Sequence, residues 1–149
     1  MADKYDSLKL SHQLCFPLYA ASKEIVRRYK PYLDEINLTY TQYIAMLVLW
    51  EHDRLNVKEL GQYLYLDSGT LTPLLKKLEE KGYISRQRNE KDERNVEIAL
   101  TDNGYKLRDE ALKVPQAMAG CIKLTKEEAA VMYKLLYGLL EGYGELDKA

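Results

Sequence analysis

The side chains able to do chemistry fall into two groups. The first holds two cysteines, Cys15 and Cys121, and two histidines, His12 and His52. Two cysteines are too few for a disulfide framework, and with these histidines they do not make the paired spacings of a zinc cluster. Thiol chemistry is what remains open to them, with an inert buried residue as the alternative for Cys15. Tyrosine occurs 13 times against one Phe and one Trp, so most ring positions bring a hydroxyl that can donate to an anion or simply pack. The second group lies between 68 and 94: the hydroxyls Ser68, Thr70 and Thr72, the cations Lys76 and Lys77, then Arg86, Arg88, Asp92 and Arg94. Small donors followed by long cations suit phosphates and base edges. No Cys-x-x-Cys, no Gly-rich phosphate loop and no nucleophile beside a histidine occurs, so the chain does not read as an enzyme. No cofactor or metal is expected.

These residues need a scaffold, and hydrophobic periodicity outlines it. Leu14, Leu18, Ala21, Ile25, Tyr29 and Tyr32 or Leu33 recur at helical spacing, which predicts a long helix over 11–35, with a kink or late start at Pro17 and an ending near Pro31. A second helix follows from a cap at Thr39 or Thr41 to Glu51, with Tyr43, Met46, Leu47 and Trp50 as its buried stripe. Asn56 caps the short helix VKELGQYL, and Asp67 or Ser68 caps GTLTPLLKKLEEKG, which Gly82 ends. In this last helix Leu71, Leu74, Leu75 and Leu78 face the core, while Ser68, Thr70, Thr72 and Lys76 face solvent. Two helices across a tight turn make a helix-turn-helix. The period then changes to two: YISRQR and VEIAL flank the charged turn NEKDERN and predict a β-hairpin, the wing. There Arg94 is expected to enter a minor groove, with Asp92 steering its guanidinium. Thr101 opens a helix toward Val114, Pro115 marks a turn or kink, and the capping box Thr125-x-x-Glu128 opens a last helix with Val131, Leu135, Leu136, Leu139 and Leu140 on one face.

The expected fold is mainly α with a small β-hairpin, a single domain over 1–149. A winged helix-turn-helix lobe, 39–100, is flanked by helical segments 11–35 and 101–147 whose apolar stripes need covering. A second copy covers them economically, so a homodimer is expected, with two reading heads on the half-sites of a pseudo-palindromic DNA duplex. The 22 basic and 23 acidic residues leave a net charge of −1, and only the middle block, 54–100, is net positive. Binding would then rest on a local face of Lys76, Lys77, Arg86, Arg88 and Arg94, with few phosphate contacts and modest nonspecific affinity. No run approaches the ~20 apolar residues that span a bilayer, and the start MADKYDSLKLSHQ has no leader features. A cytoplasmic protein without a membrane partner is expected.

The segments LCFPLYAASKEIVRRYKPYLDEINLTYTQY and LGQYLYLDSGTLTPLLKKLEEKGYISRQRNEKDERNVEIALT resemble the organic-hydroperoxide-sensing repressors of the MarR family. The resemblance runs from about residue 8 to the last helix, and LDSGTLTPLLKKLE with the DERNV wing is its most specific part. It implies a dimeric winged-helix repressor whose N-terminal cysteine is oxidised by an organic hydroperoxide, releasing operator DNA. Cys15 matches the sensor, and the first turns of a helix favour the thiolate that attacks peroxide. Tyr29 and Tyr40 match the family's thiol-stabilising tyrosines, and Tyr19 lies one turn from Cys15. Fourteen residues put Tyr29 ~21 Å from Cys15 along a continuous helix, so the resemblance implies a site shared between subunits. Cys121, in PQAMAGCIKLTKEE, stands where some relatives keep a resolving cysteine that forms an intersubunit disulfide; a bystander thiol is the alternative. Pro17 departs from the family pattern and puts the local geometry at Cys15 in question. Three rival functions stay open: a repressor of the same fold released by a small phenolic ligand, a thiol peroxidase, and an interaction module that does not bind DNA.

Overall fold

Two turns of 3-10 helix, Asp6–Leu8 and Leu10–His12, lead into α1, Cys15–Asp34. The computed structural model describes residues 4–89 and 92–146, and the side chains of Asn89, Glu93, Arg94, Glu145 and Leu146 lie outside that description. Pro17 is accommodated because it is the third residue of α1, where its missing N–H has no intrahelical acceptor to lose. The helix continues past Pro31 to Asp34, held on the core by the buried side chains of Leu33 and Ile36.

Helix α2, Tyr40–His52, opens on a capping box: Thr39 accepts from the Gln42 amide and the Gln42 side chain accepts from the Thr39 amide. The buried Gln42 carboxamide also accepts from Lys81 Nζ at 2.9 Å. Tyr43, Met46 and Trp50 are buried as their spacing predicts, but Leu47 is exposed. A helix turns about 100° per residue, so with Met46 inward the next position swings outward, and Ala45 and Leu49 fill the core instead.

The helix-turn-helix forms from α3, Val57–Leu64, and α4, Ser68–Glu80. Asn56 and Glu59 make a second capping box, and Asp67 caps α4 by accepting from the Thr70 amide at 2.8 Å. The turn closes tightly enough that a Cβ on Gly61 would stand 2.6 Å from the Leu66 carbonyl oxygen. Leu60, Leu71, Leu75 and Leu78 are fully buried and join the two helices to α2.

The wing is β2, Ile84–Asn89, antiparallel to β3, Asp92–Leu100, with a register shift between Arg88 and Asn89. A third strand, β1, Arg54–Asn56, pairs with β3 and gives the order β1-β3-β2. At three residues it is too short for an alternating pattern to register, which is why the sequence reads there only as a break. Helix α5, Asp102–Ala111, is capped by Thr101; Trp50 Nε1 donates to the Gly104 carbonyl at 2.9 Å. A Cβ on Gly104 would lie 2.1 Å from the Tyr83 carbonyl oxygen, so α5 meets the base of the wing at a separation only glycine permits. Helix α6, Lys113–Ala119, has Pro115 as its third residue.

The chain divides into two compact units between Met118 and Ala119. The first contains the core just described. Within it, Leu8, Leu10, Leu14 and Leu18 are exposed. The second contains the turn with Cys121 and helix α7, Lys126–Leu146, opened by the Thr125 and Glu128 capping box. Val131, Leu135 and Leu139 of α7 are exposed, and the Tyr133 ring packs at a tilt against Tyr137, 4.5 Å between centroids. Among the described residues no helix is long and apolar enough to cross a membrane.

Candidate functional site

Cys15 is the first residue of α1 and its thiol is exposed. The first-turn amides of a helix lack intrahelical acceptors and carry the positive end of its dipole, an environment that favours an anion. Tyr19, one turn on, is exposed, with Lys23 Nζ 5.4 Å from its ring centroid. Tyr29 lies fourteen residues along the same uninterrupted helix, ~21 Å away.

At that far end Tyr29 packs against Tyr40 at 5.0 Å between ring centroids and against Tyr43 at 5.9 Å. The spacing-based reading assigns Tyr43 only to the α2 core stripe; its place one turn from Tyr40 on the same helix is the signal that it belongs to this cluster. Burial pushes all three phenols above the ordinary tyrosine range, and neighbouring phenols push Tyr29 and Tyr43 further the same way. All three therefore stay protonated donors at neutral pH. Cys121 is half-buried in the turn between α6 and α7. Among the described residues no group of three or more His, Cys, Asp or Glu is placed to hold a metal ion.

The second group gathers on α4 and the wing. Ser68, Thr70, Thr72, Lys76 and Lys77 are exposed on α4, opposite its four buried leucines. Thr70 Oγ1 donates to Asp67 at 3.2 Å and Thr72 Oγ1 to the Ser68 carbonyl at 2.7 Å, so an incoming acceptor must compete for both hydroxyls. Arg86, expected on the nucleic-acid face, is turned onto α4: its Nε and Nη2 donate to Glu79 Oε2 at 2.9 and 2.6 Å, and its amide to Oε1 at 3.3 Å. The guanidinium holds the Glu79 carboxyl below the usual carboxylate range. Between α4 and the wing a cleft of about 260 Å³ is lined by Val57, Thr72, Glu79, Arg86 and Arg88. Asp92 is exposed at the start of β3, and the Arg94 side chain lies outside the described residues.

A helix-turn-helix whose second helix is followed by a β-hairpin wing, joined by a third strand from ahead of the first helix, defines a winged-helix DNA-binding regulator. Residues 27–111 match the family model described as transcriptional regulator SarA/Rot. The chain is 50% identical over 141 residues, 95% of its length and 96% of the relative's, to the organic hydroperoxide resistance transcriptional regulator of Bacillus subtilis (strain 168). It therefore belongs to the MarR-type transcriptional regulators that include the SarA/Rot proteins. Among solved structures, reduced AbfR bound to DNA, a Staphylococcus epidermidis protein, superposes with a TM-score of 0.75 at 34% identity, covering 93% of this chain and 98% of that one. A MarR mutant from E. coli complexed with operator DNA gives 0.78 at 25% identity, covering 93% and 99%.

Proposed function

We propose that the chain is a cytoplasmic, homodimeric repressor that holds a pseudo-palindromic operator while reduced and releases it when an organic hydroperoxide oxidises Cys15. The observation that carries this reading is the exposed Cys15 thiol at the first residue of α1, in a chain half identical to a regulator named for organic hydroperoxide resistance. AbfR, for its part, has been solved both reduced on DNA and disulfide-formed.

The thiolate attacks one peroxide oxygen; the O–O bond breaks, sulfur takes that oxygen as a sulfenate, and the alkoxide leaves as the alcohol after gaining a proton. The Cys121 thiol of a second subunit then attacks the sulfenic sulfur, forming the S–S bond and releasing water. Tyr29 and Tyr40 serve the second subunit's Cys15, since Tyr29 lies ~21 Å along the helix from its own and Tyr40 packs against Tyr29, and Tyr19 flanks the thiol on its own helix. On the DNA side α4 enters the major groove with Ser68, Thr70, Thr72, Lys76 and Lys77, and Arg94 with Asp92 reaches the minor groove. Arg86 contributes by holding the wing against Glu79. The apolar faces of 8–18 and of α7 are covered by the second copy.

The test uses a duplex that the wild-type protein selects from a random-sequence pool, challenged with cumene hydroperoxide. Wild type is expected to release it and Cys15→Ser to retain it; a Cys15→Ser protein that still dissociates overturns the sensor role. Cys121→Ser should form no disulfide-linked dimer on non-reducing gels. Normal release by that variant, with no such dimer in wild type either, removes Cys121 from the pathway.

A further inference from the structure

Tyr65 occupies the one position in the helix-turn-helix where the chain must turn left-handed. It ends α3 at φ +54° and ψ +39°, and its amide and that of Leu66 both bond back to the Gly61 carbonyl. Glycine, and sometimes asparagine, normally closes a helix this way, because an L-residue with a bulky side chain is strained there. Among the described residues no hydrogen bond or ring contact of the side chain offsets that strain. The residue is 54% exposed and its phenol makes no hydrogen bond to any described residue. Tyr63, two residues earlier and equally exposed, does have an internal partner, the His52 ring at 4.7 Å.

The position lies in the turn between α3 and α4, three residues before Ser68 opens α4. Two residues on, Asp67 caps α4 with its carboxylate engaged by the amide and hydroxyl of Thr70, and Ser68 and Thr70 follow on the exposed side. Backbone held in sparsely populated conformations clusters at functional sites.

We infer that Tyr65 is a DNA-backbone contact, its phenol O–H donating to a phosphate oxygen at the edge of the groove that receives α4. The inference rests on the DNA-binding reading of α4. A tyrosine is neutral, so the contact releases no counterion; it adds affinity for any sequence alike and leaves the salt dependence unchanged.

The experiment measures binding of wild type, Tyr65→Phe and Tyr65→Gly to the selected duplex and to a scrambled one across a salt series, with thermal melting alongside. Tyr65→Phe, which loses only the hydroxyl, should bind both duplexes about tenfold more weakly with an unchanged salt slope and an unchanged melting temperature. Tyr65→Gly should show the same loss while melting about 2–4 °C higher, because glycine relieves the turn. Binding by both variants within about twofold of wild type overturns the inference, as does a loss confined to the selected duplex. If wild type selects no duplex at all, the DNA-binding reading falls and this one with it.

Discussion

Replacing Glu79 by Gln tests whether the wing is held to α4 by charge. Gln has the same shape and still offers Arg86 an acceptor, so the substitution removes the negative charge and little else. Arg86 spends two charge-assisted bonds on Glu79, at 2.9 and 2.6 Å, with side-chain exposures of 26% for the arginine and 37% for the glutamate. A hydrogen bond to a charged group is worth about 1.5–3 kcal/mol when shielded, but this pair is partly in solvent, so about 1 kcal/mol is expected at neutral pH. For a chain of this length that is a fall of about 2–4 °C in melting temperature. The pH dependence has a definite sign. Glu79 titrates lower in the folded chain than in the unfolded one, so its contribution is complete above the ordinary glutamate value of about 4.3 and is lost as pH falls through the lowered folded value. Wild type and Glu79→Gln should therefore differ at pH 7 and converge at acid pH, with the neutral-pH difference shrinking in 1 M salt. Melting curves from pH 7 down to pH 3 read this directly, and a looser wing should cost several-fold in affinity for the selected duplex. Equal melting at pH 7, or an equal gap at both ends of the pH range, refutes the electrostatic argument.

Three further outcomes follow from the fold and the thiol. Gly104→Ala forces a Cβ against the Tyr83 carbonyl, where the unadjusted gap is 2.1 Å; backbone must move, and denaturant unfolding should register a loss of about 1–3 kcal/mol or more. Asn56→Ala removes the α3 cap, whose Oδ1 accepts from the Glu59 amide at 2.8 Å, and should cost about 1 kcal/mol in the same assay, with the DNA-binding lobe fraying first in hydrogen exchange. Cys15→Ser should fold and melt like wild type, because the thiol is exposed, while losing all hydroperoxide-dependent release.

Local signals carried far in this chain because its helix starts are written in short motifs. Thr39 with Gln42, Asn56 with Glu59, Asp67, Thr101, and Thr125 with Glu128 all cap the helices their positions announce, since each motif satisfies amides within three residues of itself. Leu71, Leu74, Leu75 and Leu78 are buried as their spacing requires. Strand β1 escaped because three residues hold no period, and its place is set by β3, more than forty residues away. Leu47 misled because an apolar residue beside a buried one reads as core until the helix is rotated into place. Arg86 looked like one more cation of the basic face; only the packing of β2 on α4 brings Glu79 to it.

By itself the sequence determined the order and type of the helices apart from α6, which spans the place where Pro115 reads as a turn or kink, together with the helix-turn-helix, its wing and the separation of Cys15 from Tyr29, because caps, periodicity and helical rise are properties of neighbouring residues. The tertiary structure alone decided which of those residues meet. It joined Tyr43 to the Tyr29 and Tyr40 cluster, withdrew Arg86 into a bridge with Glu79, added a third strand to the wing, and set Tyr65 in a left-handed turn ahead of α4. Contacts between distant segments depend on how whole elements rotate and pack, and no window of sequence contains that information.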